Sequence, residues 1–203
     1  MASPWPRFVP DASAVRAERL LAPGAVPIMI CPMDTPIRPQ PPMTCIRPVQ
    51  PTDWPALTAF YDAMSPQDRH SRFLGYTCVS PETAQRMCAV DHRAAEGFVA
   101  VSLRDDGTER ICGHLCLEPC GHDSEELGVA VAEDCQGMGL GHRLVAAGLG
   151  WAQAHHVQQV TATAFTNNEP ILRLLAGSAP GVTMRPLRGG IVEVAIPVAV
   201  ADR

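Results

Sequence analysis

The sequence predicts an α+β fold, a mostly antiparallel sheet flanked by helices. Three observations predict it. Apolar runs are joined in pairs by turn-forming residues, at 105–108 (Asp-Asp-Gly-Thr) and at Gly189-Gly190, which is the pattern of β-hairpins. Two segments open with Ser-Pro, at Ser65 and Ser80, an N-cap followed by proline at the first helical position. Between the hairpins an apolar run enters a glycine-rich turn and a long helical pattern, then a second apolar run. A chain of 203 residues suits one domain, or one domain and a tail, with a core of its own.

Residues 1–43 differ from the rest. Twelve of the 20 prolines precede Trp54, and proline removes backbone donors and fixes φ. This stretch reads as an irregular, extended arm, with one helical turn at "SAVRAERLL". A domain spanning 44–200 then starts beside Met43. "TCIRPV" reads as a strand. "PTDWPALTAFYDAM" reads as a helix with Thr52 or Asp53 as N-cap. "SPQDRHSRFL" and "SPETAQRMCAV" are the two Ser-Pro helices. "EGFVAVSLRDDGTERICGHLCLEP" is the first hairpin and "ELGVAVA" the next strand. The glycine turn leads into the helix "GLGHRLVAAGLGWAQAHH", followed by the strand "VQQVTATAF" and the short helix "NEPILRLLAG". "GVTMRPLRGGIVEVAIPV" is the closing hairpin. The chain contains no internal repeat.

Composition excludes some functions. The net charge is −5, so no global basic field recruits nucleic acid or an anionic membrane. All 16 basic residues are arginine, so a lysine Schiff base is ruled out. The first residues lack an apolar segment behind a basic end, and the patch "LLAPGAVPIMICPM" is too broken to span a bilayer. The expectation is a cytoplasmic protein whose eight cysteines are reduced thiols.

The stretch "EDCQGMGLGHRLV" raises the functional question. Glycines at 137, 139 and 141 open a helix, where unpaired amides and the positive dipole end make a seat for an anion, phosphate above all. A dinucleotide fingerprint fails, because His142 falls where the third glycine belongs. A P-loop fails for want of any lysine. The pattern that fits is Gln/Arg-x-x-Gly-x-Gly/Ala, here Gln136, Gly139 and Gly141.

That pattern resembles the coenzyme A pyrophosphate loop of the GNAT superfamily of N-acetyltransferases. "CIRPVQPTDWPALTAFYDAMSPQDRHSRFLG" is similar to the opening of GNAT domains of the bacterial protein lysine acetyltransferase branch, including its "SPxxRxxRF" run. "SEELGVAVAEDCQGMGLGHRLV" looks like that branch's core strand, loop and helix, and "TNNEPILRLLA" like its asparagine-led helix. The resemblance covers about 44–198. It implies a GNAT-like sheet in which two neighbouring parallel strands, "ELGVAVA" and "QQVTATAF", splay apart to admit acetyl-CoA. Backbone at Val129 and Val131 would pair with the pantetheine arm. The amides of Gln136, Gly137, Met138, Gly139, Leu140, Gly141, His142 and Arg143 would hold the pyrophosphate, with a charge-assisted bond available from the Arg143 side chain, and Asn168 would bond the pantetheine or thioester region. Met138 and His142 stand where the branch carries arginine, which removes positive charge beside the phosphates.

Acetyl transfer to an amine needs a base, because an ammonium with a pKa near ~10.4 is almost wholly protonated at neutral pH. In the resembling branch a glutamate ten residues before the loop's first glutamine is the proposed base, which is Glu126 here. Strand alternation puts Glu126 on one face with Gly128 and Ala130, whose small size would leave a substrate channel, and sends Glu125 the other way. The tyrosine often used as general acid near the C-terminal short helix is missing; Tyr61 and Tyr76 lie early in the chain. "CGHLCLEPCGH" places Cys112, His114 and Cys116 on one strand face. Zinc accepts such ligands, but strand packing is the plainer reading, and no metal is expected.

Two functions follow. The first is an acyl-CoA-dependent N-acetyltransferase that moves an acetyl group from acetyl-CoA to a primary amine, on protein lysine or a small molecule. The second is a non-catalytic acyl-CoA-binding or scaffold protein on the same fold. The expected partners are acetyl-CoA and an amine acceptor, without nucleic acid or membrane; a homodimer stays open.

Overall fold

The computed structural model describes residues 44–75, 78–104, 106–121 and 123–199. The proline-rich arm expected over 1–43, with its helical turn, lies outside the described residues, as do Tyr76 and His122. Seven strands form one sheet: β1 (Thr44–Pro48), β2 (Glu96–Leu103), β3 (Glu109–Gly121), β4 (Ser124–Val131), β5 (Gln159–Phe165), β6 (Thr183–Pro186) and β7 (Ile191–Pro197). Their order is β1-β2-β3-β4-β5-β7-β6. Every neighbouring pair is antiparallel except β4–β5, which is parallel.

The helices are α1 (Trp54–Ala63), α2 (Pro66–Phe73), α3 (Pro81–Cys88), α4 (Leu140–Ala154) and α5 (Glu169–Ala176). Ser65 caps α2 by accepting from the amide of Asp68, and Ser80 caps α3 by accepting from that of Thr83, so both Ser-Pro starts act as local chemistry dictates. The start of α1 is different. A 3-10 turn at Pro51–Asp53 leads into it, and the Asp53 side chain does not cap α1. Its carboxylate instead accepts from the Gln50 amide and from both Arg47 η-nitrogens, at 2.7–2.9 Å, which ties the helix entry to β1.

The sheet is covered on both faces. Gly148 lets α4 lie against Leu115 and Leu117, and a Cβ there would sit 3.0 Å from the Leu115 side chain. These leucines are fully buried, and burial of each contributes ~1.5–3 kcal/mol. On the opposite face Tyr61 of α1 meets His114, and Arg72 of α2 meets Cys116. His70 of α2 stacks on Phe165 of β5 at 5.0 Å. No helix among the described residues is long and apolar enough to cross a membrane.

Candidate active site

β4 and β5 share only three rungs: Ser124 with Gln159, Glu125 with Val160, and Glu126 with Thr161. Beyond Glu126 each strand follows its antiparallel partner on the far side. β4 stays paired to β3 as far as Val131, and β5 stays paired to β7 as far as Phe165. The sheet therefore opens into a V whose inner edges share no ladder with each other, an arrangement that leaves room for a ligand with its own donors and acceptors. A cavity of about 770 Å³ occupies this V, a volume suited to a large organic ligand. Residues 126–131 of β4 and 162–164 of β5 form its walls, the glycine turn closes one end, and Asn168, the N-cap of α5, and Ile171 line its rim.

The glycine turn is built from backbone. Gly137 and Gly139 have φ of 75° and 76°, in the left-handed region, and a Cβ on either would meet nothing within 4 Å. Gly139 is the N-cap of α4 and supplies no capping side chain. The first ladder bond runs from the Arg143 amide to the Gly139 carbonyl at 3.1 Å, so the amides of Leu140, Gly141 and His142 lie ahead of the ladder. Gln136 Nε2 donates to the Val131 carbonyl at 3.2 Å and folds the turn over the end of β4.

The expected cofactor residues do not all converge. Val129, Val131, Gln136, Gly137, Gly139, Leu140, Gly141, His142 and Asn168 line the cavity, whereas Met138 and Arg143 do not. Met138 projects outward, 44% exposed. The Arg143 guanidinium donates to the Thr44 hydroxyl and carbonyl, both at 2.9 Å, and so anchors α4 to β1. Asn168 caps α5, its Oδ1 accepting from the Ile171 amide at 3.4 Å.

Glu126 is exposed and lines the cavity with Gly128 and Ala130, on the face that alternation predicts. Glu118 stands opposite it in the β3–β4 register and lines the same cavity. Glu125 is turned away and buried, with Oε2 unpartnered. Burial, and secondarily the charge of Glu118, raises its carboxyl above the usual range. The open channel expected over Gly128 is filled. A Cβ there would collide with the guanidinium of Arg72. Arg72 Nη2 donates to Cys116 Sγ at 3.1 Å, and the guanidinium lies over the Phe73 ring.

Behind Arg72 lies a buried polar chain. Tyr61 Oη is 2.8 Å from His114 Nδ1, and both residues are fully buried. The Arg72 guanidinium lies beside the Tyr61 hydroxyl, and the direction of the Tyr61–His114 bond is set by the imidazole tautomer. Burial pushes the Tyr61 hydroxyl up to about 12, and burial, aided by the Arg72 charge, pushes His114 down to about 3. His114 is thus neutral when folded. Because its folded pKa lies below its ordinary value of 6.5, the unfolded chain binds the extra proton first. The stability it contributes is complete above pH 6.5 and is lost as pH falls towards 3. Denaturant melts across that window should show the wild type losing up to ~1.4 kcal/mol per pH unit more than His114→Gln. Equal slopes would disprove this origin.

The Cys112, His114 and Cys116 cluster is used in packing. Cys112 meets the Ser102 hydroxyl, His114 meets Tyr61 and Cys116 meets Arg72. No group of three metal-ligating side chains occurs among the described residues. Cys135 is buried against the cavity, and burial pushes its thiol up to about 12. Arg72 and Glu118 are cleft residues that sequence reasoning missed. A signal for Arg72 existed in Gly128, since a lone glycine inside a strand marks a close approach by another group.

Residues 55–176 match the acetyltransferase (GNAT) family. The chain is 33% identical to Acetyltransferase PA5475 of Pseudomonas aeruginosa over 97 residues, 47% of this chain and 52% of that protein. It thus spans about half the length of that curated relative. The GNAT domain of S. lividans PAT has the same fold, with a TM-score of 0.66 at 19% identity, covering 75% of this chain and 89% of that domain. So does yncA of Salmonella typhimurium, solved with its cofactor acetyl-CoA, with a TM-score of 0.63 at 16% identity over 79% of this chain and 97% of that one. The chain belongs to the GNAT acetyltransferase family.

Proposed function

We propose that this protein is an N-acetyltransferase that moves an acetyl group from acetyl-CoA to a primary amine, with Glu126 as general base. The observation that carries the reading is the V between β4 and β5, which ends at a glycine turn rich in forward-facing amides. Acetyl-CoA is the cosubstrate, and it supplies the acetyl group as a thioester with a thiol leaving group. Backbone at Val129 and Val131 holds the pantetheine arm, and the amides of 137–142 hold the pyrophosphate. The Asn168 side-chain amide, whose oxygen is engaged at Ile171, offers its N–H donors to the same arm. Glu126, at the last rung before the strands part, takes the proton that the amine must lose. Tyr61 is buried on His114 and does not reach the cleft, so the departing thiolate receives its proton from another donor. In this reading 44–200 is the acetyltransferase domain and 1–43 an arm before it.

One observation favours the scaffold alternative: among the described residues no arginine from the glycine turn or the start of α4 lines the cleft, since Arg143 is held at Thr44. Titration calorimetry with acetyl-CoA, followed by a free-thiol assay against amines and lysine peptides, separates the two. Saturable binding with thiol release on adding an amine is expected. Binding without release for every amine would support the scaffold, and absence of binding would refute both.

A further inference from the structure

Arg72 has an unusual setting for a cation. It forms part of the cleft floor under β4, partly exposed as a residue, with Nε closed off from solvent and without a hydrogen-bond partner. Its neighbours are a thiol, a phenol and an aromatic ring. It makes no ion pair among the described residues, although Asp68, Glu118 and Glu126 all line the same cavity. A desolvated guanidinium is normally balanced by an anion, and its planar fork matches a carboxylate. The missing anion does not belong at the pyrophosphate seat. That seat is at the glycine turn, past the far end of β4, whereas Arg72 sits at Gly128, two residues from Glu126 on the same face.

We infer that Arg72 is the docking group for a carboxylate on the acceptor, so that the acceptor class is a small amino acid-like amine. This inference rests on the acetyltransferase reading above. Residues i and i+2 of a strand stand ~7 Å apart, the reach of an α-amino acid that hydrogen-bonds at both ends. The acceptor's carboxylate sits on Arg72 and its amine beside Glu126. Glu118, across the rung from Glu126, draws the ammonium to that end and repels the carboxylate from it. Cys116 holds the guanidinium in place beneath Gly128, with the Tyr61 hydroxyl beside it. A lysine side chain in a polypeptide has no carboxylate to present at this distance.

The test compares the common L-amino acids with their carboxamides, and with Nα-acetyl-lysine N-methylamide. Each is titrated into the full chain saturated with coenzyme A, and each is assayed for thiol release from acetyl-CoA. At least one free amino acid should bind and react with a kcat/KM tenfold or more above that of its carboxamide. Arg72→Met should raise KM for that acid by ten- to a hundredfold and that for its carboxamide far less, so that the preference for acid over carboxamide is lost. The inference is overturned if no free amino acid binds, if acids and carboxamides are equivalent, or if Arg72→Met lowers kcat equally for every acceptor. Should Arg72→Met fail to fold, the wild-type comparison of acid with carboxamide decides alone. Loss of acetyl-CoA binding in the wild type would instead refute the acetyltransferase reading.

Discussion

Gly139→Glu is expected to lower acetyl-CoA affinity by a hundredfold or more. Two effects act together. Gly139 has φ 76° and ψ 5°, where an L side chain costs ~1–2 kcal/mol, so the turn itself is disturbed. The space in front of its missing Cβ is open and borders the cavity, so the new carboxylate would project where the pyrophosphate should lie. Gly139→Asn is the companion variant, because asparagine tolerates this conformation and adds no charge. It should keep most of the affinity. Calorimetry on both variants, with melting temperatures to confirm folding, separates charge from strain. Acetyl-CoA affinity in Gly139→Glu equal to that of the wild type would remove the turn from the cofactor site.

Glu126→Gln is expected to lower kcat by ~10²–10³-fold while acetyl-CoA affinity stays within about twofold. The variant keeps shape and hydrogen bonding but cannot accept the amine's proton. The loss should shrink at high pH, where more amine is already neutral. Glu125→Gln is the matched control. Its carboxyl is buried, turned from the cleft and raised above the usual range, so folding disfavours its ionised form. Glu125→Gln should keep its rate and match or exceed wild-type stability. Equal kcat in Glu126→Gln and wild type across pH 6–9 would exclude Glu126 as base, and a comparable rate loss in Glu125→Gln would show that the effect is not specific to the cleft.

Sequence alone reached far into this protein wherever the determinants are local. Serine before proline fixed the starts of α2 and α3, and alternating apolar runs around turn residues fixed both hairpins. The glycine spacing located the turn before α4, and alternation put Glu126 on the face of Gly128 and Ala130. These features depend on residues within a few positions of one another, so the chain states them directly.

Tertiary structure decided what depends on residues far apart. The V between β4 and β5 arises because each strand keeps its own antiparallel partner after three shared rungs, which no local pattern encodes. Arg143 looked free for phosphate, but folding brings Thr44, 99 positions away, within hydrogen-bond reach. Gly128 looked like open space, but α2 delivers Arg72 into it. Cys116, remote from Arg72 in sequence, becomes its hydrogen-bond acceptor. A long side chain on a short helix reaches many places, and only the packing of that helix on the sheet selects one of them.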